Sequence, residues 1–355
     1  MRPRTVTGRV VLAVVASAVA VGSGAPAAAK TKVVVADHLA RPRGLAVAPD
    51  GTLYAALVGN GGRRCNFEGC FGASGRVVRV GRRGAVHTVA SGLLSMRGKP
   101  DGFFSLGADQ LTLLPDGRLA TAISAEFSGL GPRPPGAVPR RLRRQVGHVI
   151  TITPGGAKRI GVDISQVEYA LDPDGEGAVS NPFGITAIGD ALYVSDSAAN
   201  DLLEVRGGTV GIVAKFPHTS EDEQSVPDAL AAGPDGALYV GEFTGGSQRH
   251  GTARIWRVDR FGQAQAVLAS GLTSITALAF GPDGSLYAAE FYPGDVVRIA
   301  PDGTRSVVAR HLRYPGGLAV APDGTLYVSN WTVAGSKPAK HGRFKGRTGQ
   351  ILRVR

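Results

Sequence analysis

One phrase recurs along this chain and leaves few folds open to it. Pro-Asp-Gly-x-Leu-Tyr stands at 49–54, 234–239, 282–287 and 322–327; a variant, Pro-Asp-Gly-Arg-Leu-Ala, occupies 115–120, and a worn copy, Gly-Asp-Ala-Leu-Tyr, occupies 189–193. Asp-Gly favours a tight hairpin, because Gly accepts positive φ and Asp bonds to its own backbone. A short apolar run precedes each copy, as in Leu45-Ala46-Val47 and Leu318-Ala319-Val320, and a second run follows it, as in Leu238-Tyr239-Val240. A third run alternates arginine with apolar residues (Arg76-Val77-Val78-Arg79-Val80), and a fourth closes the unit (Val307-Val308-Ala309). Four strands repeated six times specify a six-bladed β-propeller with four-stranded blades. The other all-β solution, an open sandwich, has no such repeat.

The ends sharpen this reading. Residues 34–51 read VVADHLARPRGLAVAPDG and residues 307–324 read VVARHLRYPGGLAVAPDG. The chain therefore begins with a fourth-strand sequence at 33–36 and stops after a third strand at 351–354, and joining the two closes the ring. Ahead of this lie Arg2, Arg4 and Arg9, a nearly all-apolar run over 10–21, and small residues up to Ala29. That run is too short to span a bilayer, so 1–29 is expected to be a cleaved export signal and 30–355 a secreted, monomeric propeller domain.

The net charge is +12 and the sequence pI about 10.1. An exported protein seldom meets nucleic acid in a functional role, so an anionic cell-wall polymer or polysaccharide is the expected class of partner. Cys65 and Cys70 sit in a Gly-rich loop, and residues 60–75 hold no His and only Glu68 beside them. A disulfide is favoured over a metal site.

All the long loops are b–c or d–a connections, with strands lettered a to d outward, so they share one face and mark it as the working face. Its basic runs are Arg63 and Arg64 on blade 1; Arg140, Arg141, Arg143 and Arg144 on blade 2; and Lys340, Arg343 and Lys345 on blade 6. These three blades become neighbours on ring closure. Asn181, Asp196, Asp228, Glu242 and Glu290 fall where strands reach this face. They either ring the channel mouth as ligands for a hard cation such as Ca²⁺ or cap strand ends through backbone hydrogen bonds. Asp172-Pro-Asp174-Gly-Glu176-Gly177 has the opening spacing of a calcium loop but carries Phe183 at the twelfth position. No nucleophile motif occurs, and His218, His250 and His341 are the acid–base candidates in the loops.

The repeats, the Cys65…Cys70 loop, Ser180-Asn181-Pro182-Phe183-Gly184 and Tyr239-Val240-Gly241-Glu242 together resemble the ScyD/ScyE family of exported propellers. The resemblance covers nearly the whole chain after the signal, and it implies the fold and export rather than a substrate. Gluconolactonase-like propellers share the Pro-Asp-Gly-x-Leu-Tyr phrase and use a channel-mouth metal held by Glu, Asn and Asp. Asn181 and Asp196 come nearest to that pattern here, and the first-blade Glu has no match. Two readings stay open: an envelope binding or scaffold protein, and a Ca²⁺-dependent hydrolase, lactonase or lyase acting on a small molecule at the channel mouth.

Overall fold

The computed structural model describes residues 31–100, 102–124, 134–220, 223–245, 250–333 and 348–355. The expected signal segment, Lys340, Arg343, Lys345 and His341 lie outside the described residues. The described chain forms six antiparallel sheets. Each is a blade whose strands run a to d from the central axis outward, and together they make a six-bladed β-propeller.

Blade 6 supplies the ring closure. Its strands Gly317–Val320, Leu326–Asn330 and Gly349–Val354 are completed by the strand Lys32–Leu39. Val33 faces Arg353, Val34 faces Leu352 and Ala36 faces Ile351. Blade 1 departs from the four-strand pattern: its c and d strands extend over Gly69–Val80 and Val86–Gly98, and two-residue strands at Arg64–Cys65 and Ser105–Leu106 join them. The Cys65–Cys70 disulfide closes the small hairpin at this outer extension.

The repeated phrase makes the turns on the lower face. In the Pro-Asp-Gly copies Gly adopts φ near +80°, and Asp accepts a hydrogen bond from the amide two residues on: Thr52 at 2.9 Å for Asp50, Ser285 at 3.1 Å for Asp283. The worn copy is shorter. Ile188 faces Ala191 directly, so Gly189-Asp190 forms a two-residue turn that has no room for Pro. The alternating arginines of the third strands return to these turns, with Arg257 pairing Asp235 and Arg298 pairing Asp283. Such exposed pairs add little stability.

Most of the stability comes from apolar packing between successive blades. Ile255, Ile275, Ala288 and Val297 interlock blades 4 and 5; Ala55, Val78, Ala319 and Ile351 interlock blades 1 and 6. Each large side chain buried this way contributes about 1.5–3 kcal/mol. Near the axis the a strands approach too closely for side chains. A Cβ on Gly44 would meet the Leu111 nitrogen at 2.5 Å, which explains the Gly in the first-strand sequence.

Candidate functional site

The a strands begin and the b strands end on the upper face, so the channel mouth is built from residues at those positions. Gln110, at the start of blade 2, reaches across the axis. Its Nε2 donates to the carbonyls of Thr276 (3.1 Å) and Gly316 (2.8 Å) on blades 5 and 6. The channel is bridged there, and a pocket lined by Thr276 and Gly316 adjoins the bridge. Arg43 points into this space, with its guanidinium paired to the fully buried Asp109 and donating to Ser105 O (3.0 Å) and Oγ (3.1 Å). Burial lowers its pKa to about 10, an effect the nearby Asp228 carboxylate opposes, and the group stays charged at neutral pH.

The pocket holds about 240 Å³ and is walled by Phe103, Phe183, Phe243, Phe291 and Tyr292, with Arg43, Asn181, Asp228 and Thr276 among its polar groups. Phe103 lies on the connection from blade 1 to blade 2 and reaches over the mouth. Its ring sits edge-on to Phe291 of blade 5 (6.3 Å between centroids) and to Tyr314 (5.3 Å). Phe291 in turn meets Phe243 at 5.6 Å and Tyr292 at 5.0 Å. Edge-to-face pairs of this kind add about 0.5–1.5 kcal/mol each. Two arginines anchor the connection that carries Phe103: the buried Arg41 donates to Gly102 O (3.2 Å), and the partly buried Arg43 holds Ser105. Aromatic residues make up only 6% of the chain, so this gathering at one end of the channel is a concentration. The signal for it lay one position beyond the residues singled out from the sequence. Phe243 follows Glu242, Phe291 follows Glu290 and Trp331 follows Asn330, the same repeat position in three successive blades.

The five side chains expected to ring a cation do not share one site. Asn181 and Asp228 line the mouth pocket, where they accept hydrogen bonds from Ser124 Oγ (2.5 Å) and Ser197 Oγ (2.6 Å). Asp196 is wholly buried and accepts from Ser180 Oγ (2.5 Å) and the amides of Asn181 (2.6 Å), Ala198 and Ala199 (3.3 Å each). Glu242 accepts from Ser225 Oγ, Trp256 Nε1 (both 2.8 Å) and Arg254 N (2.9 Å), and pairs with the Arg254 guanidinium at 2.7 Å. Glu290 accepts from the Thr273 amide at 2.7 Å. Three of the five therefore cap the d–a connections of their own blades, the second of the two roles the sequence left open.

Carboxylates gather instead beside blade 3. Oxygens of Glu168, Asp172 and Asp174 lie within 4.8 Å of one another, the only such group of His, Cys, Asp or Glu among the described residues. Glu168 projects from the short helix Gln166–Leu171, and Asp172 caps its end with φ 42°. Burial raises the Glu168 carboxyl to about 7, with the charges of Asp174, Asp196 and Asp172 adding to the effect. Burial also pushes Asp201 far above the ordinary carboxylate range, and Asp196, Glu168 and Asp174 reinforce this. Two of these carboxylates, Asp172 and Asp174, belong to the segment with calcium-loop spacing, and the third, Glu168, lies four residues upstream of it.

The expected basic face is partly assembled. Arg140, Arg141, Arg143 and Arg144 are all exposed on the 3₁₀ helix Arg140–Gln145. Arg140 and Arg141 share a groove of about 510 Å³ with Arg63 and Arg64 of blade 1. A larger, open cleft of about 730 Å³ lies on the opposite face at the seam of blades 6 and 1, among turn residues such as Asp50, Gly51 and Gly84. His218 lies 3.6 Å from Glu176, and neither it nor His250 lines the mouth pocket.

No protein-family model matches the chain, and no curated protein matches it. Solved β-propeller structures do. A streptogramin B lyase aligns over 92% of this chain and 97% of its own at 13% identity, with a TM-score of 0.52. A gluconolactonase from Xanthomonas campestris aligns over 91% and 89% at 11% identity, TM-score 0.53. The PQQ-bound aldose sugar dehydrogenase of Streptomyces coelicolor aligns over 93% and 100% at 15% identity, TM-score 0.50. At such identities the likeness establishes the propeller fold alone, and three different chemistries on one fold show why the fold does not choose among them.

Proposed function

We propose that this protein is an exported propeller of the ScyD/ScyE type that binds a small, flat, largely apolar molecule at its channel mouth. The aromatic pocket carries this reading: apolar walls with a few convergent polar groups are what small-molecule sites are built from. Its partly buried Arg43 favours a ligand with an anionic or carbonyl edge. Export is supported by the signal-like character of 1–29 and by the disulfide, which belongs to oxidising compartments. Binding is favoured over catalysis because, among the described residues, Arg43, Asp228 and Tyr292 are the only titratable side chains on the pocket wall and none is a histidine. The hydrolase, lactonase or lyase reading would require an acid–base pair from these three. Titration calorimetry with 2-naphthoate tests the pocket: Phe291→Ala and Phe103→Ala should each weaken binding about tenfold, roughly 1.4 kcal/mol. Equal affinity in wild type and both variants would remove the pocket as the site.

The shared groove of Arg63, Arg64, Arg140 and Arg141 supports a second contact on the same face, with an anionic cell-wall polymer or polysaccharide. Such binding should weaken steeply with salt, since exposed charges are screened beyond about 10 Å at 0.1 M. Replacing Arg140, Arg141, Arg143 and Arg144 with Ser should release the protein from an immobilised polyanion at lower salt. Unaltered elution would eliminate the groove.

A further inference from the structure

The acidic cluster beside blade 3 lies outside the mouth pocket, and two observations beyond its acidity separate it from a merely solvated patch. Glu168 is only 2% exposed, and neither of its carboxylate oxygens has a hydrogen bond of normal geometry; the nearby Val179 amide offsets only a small part of the burial. Asp201, the first residue of the c strand Asp201–Arg206, is completely buried, and both its oxygens are also unpartnered. Asn200, its neighbour, donates from Nδ2 to Asp174 at 2.8 Å and so ties the acidic loop to this corner of the blade. Among the described residues no ion pair involves Glu168, Asp172, Asp174 or Asp201; the charge of Lys215, which faces Asp201 across the strand pair, offsets only part of the repulsion, and its Nζ donates to the Pro173 carbonyl at 2.8 Å. Buried, unpaired carboxylates cost several kcal/mol unless something positive joins them.

We propose that Glu168, Asp172 and Asp174 hold a calcium ion, with the charge of the buried Asp201 behind them adding to the attraction, and that the ion clamps the connection between blades 2 and 3 onto the corner of blade 3. Oxygens bound to one Ca²⁺ at about 2.3–2.6 Å lie at most about 5 Å apart, and the Glu168, Asp172 and Asp174 oxygens already fall within 4.8 Å of one another. The donors are all oxygen, with no His or Cys in the group, which selects a hard cation. Several come from a turn, which suits the flexible coordination of Ca²⁺ better than the strict octahedron of Mg²⁺. The ion would hold the helix Gln166–Leu171 in place and with it the chain leading to Asn181 at the channel mouth. This site and the pocket are separate, so neither proposal depends on the other.

Tyr169, adjacent to Glu168, makes the test direct, because Tb³⁺ bound here would luminesce on tyrosine excitation. The full chain, stripped with a chelator, is titrated with Tb³⁺ and then with Ca²⁺. One Tb³⁺ per chain, displaced by Ca²⁺, and a rise of several degrees in Tm on adding Ca²⁺ are expected. Asp201→Asn and Glu168→Gln should each weaken binding at least tenfold, while Asp228→Asn at the channel mouth should leave it unchanged. Asp174→Asn, at the more exposed edge of the cluster, decides the matter if a buried variant fails to fold. The proposal is overturned if wild type shows neither luminescence nor a Tm shift at about 1 mM Ca²⁺, the weak end for extracellular calcium modules. It is equally overturned if the cluster variants bind as wild type does, or if Asp228→Asn abolishes binding.

Discussion

Blades 3 and 4 each bury a carboxylate completely where strands meet the upper face, and they treat it in opposite ways. On blade 4, Glu242 is enclosed by donors from Arg254, Trp256 and Ser225, and the Arg254 guanidinium also stacks on the Trp256 ring at 4.8 Å. On blade 3, Asp201 faces other carboxylates and accepts no hydrogen bond. The two are equally buried, so burial alone cannot tell a structural acid from a site. Hydrogen-bond satisfaction can: Glu242 is part of the architecture, while Asp201 must hold either a proton or a cation.

The comparison can be broken most forcefully at Glu242. Glu242→Ala leaves the Arg254 guanidinium and the Trp256 N–H without their acceptor, and it should lower stability in chemical denaturation by about 3–5 kcal/mol. A loss below about 1 kcal/mol would mean the network does not hold that corner. Asp201→Asn should act in the opposite direction. In chelated protein at pH 8 it should raise stability by on the order of 1–3 kcal/mol, because the amide spares the folded state the cost of holding a proton that the unfolded carboxylate has released. A loss of similar size would reveal a partner for the native carboxylate.

The pH dependence sharpens the same contrast. With raised carboxyl pKa values the folded metal-free protein keeps protons that the unfolded chain has released, so stability should fall as pH rises. The fall should begin near 3.8, the ordinary Asp value, steepen from 4.5 to about 7 as Glu168 adds to it, and continue into alkaline solution for Asp201. Glu168→Gln should flatten the lower part of that slope; an equally steep slope in the variant would exclude Glu168 as its source. The smallest effect is expected far from both corners. Cys65 and Cys70 enclose a very short loop, so replacing both with Ser should cost at most about 2 kcal/mol and leave the pH slope unchanged.

The blades were legible because each is a local event. Asp-Gly turns such as Asp283-Gly284 depend on neighbours two residues away, and the 33–36 strand could be paired with 351–354 because its sequence repeats that of 307–309. The extra strands of blade 1 were not legible, since they extend an ordinary strand sequence without changing its period. The site was half legible. The position of Phe291 repeats that of Phe243 and could have been read, but the contact of Phe103 with Phe291 joins residues nearly 190 positions apart.

What the sequence determined by itself is therefore everything governed by short-range geometry: six turns, the strands that flank them, the closed ring and the face on which long loops collect. Only the tertiary structure decided which polar groups on that face are satisfied. Asp196, Asp228, Glu242 and Glu290 look alike along the chain, yet their donors include groups on other strands and loops, as with Trp256 for Glu242 and Ser197 for Asp228. Periodicity specifies where a side chain starts from, whereas its partner depends on how separate strands and blades pack, and a buried carboxylate owes its role to that partner.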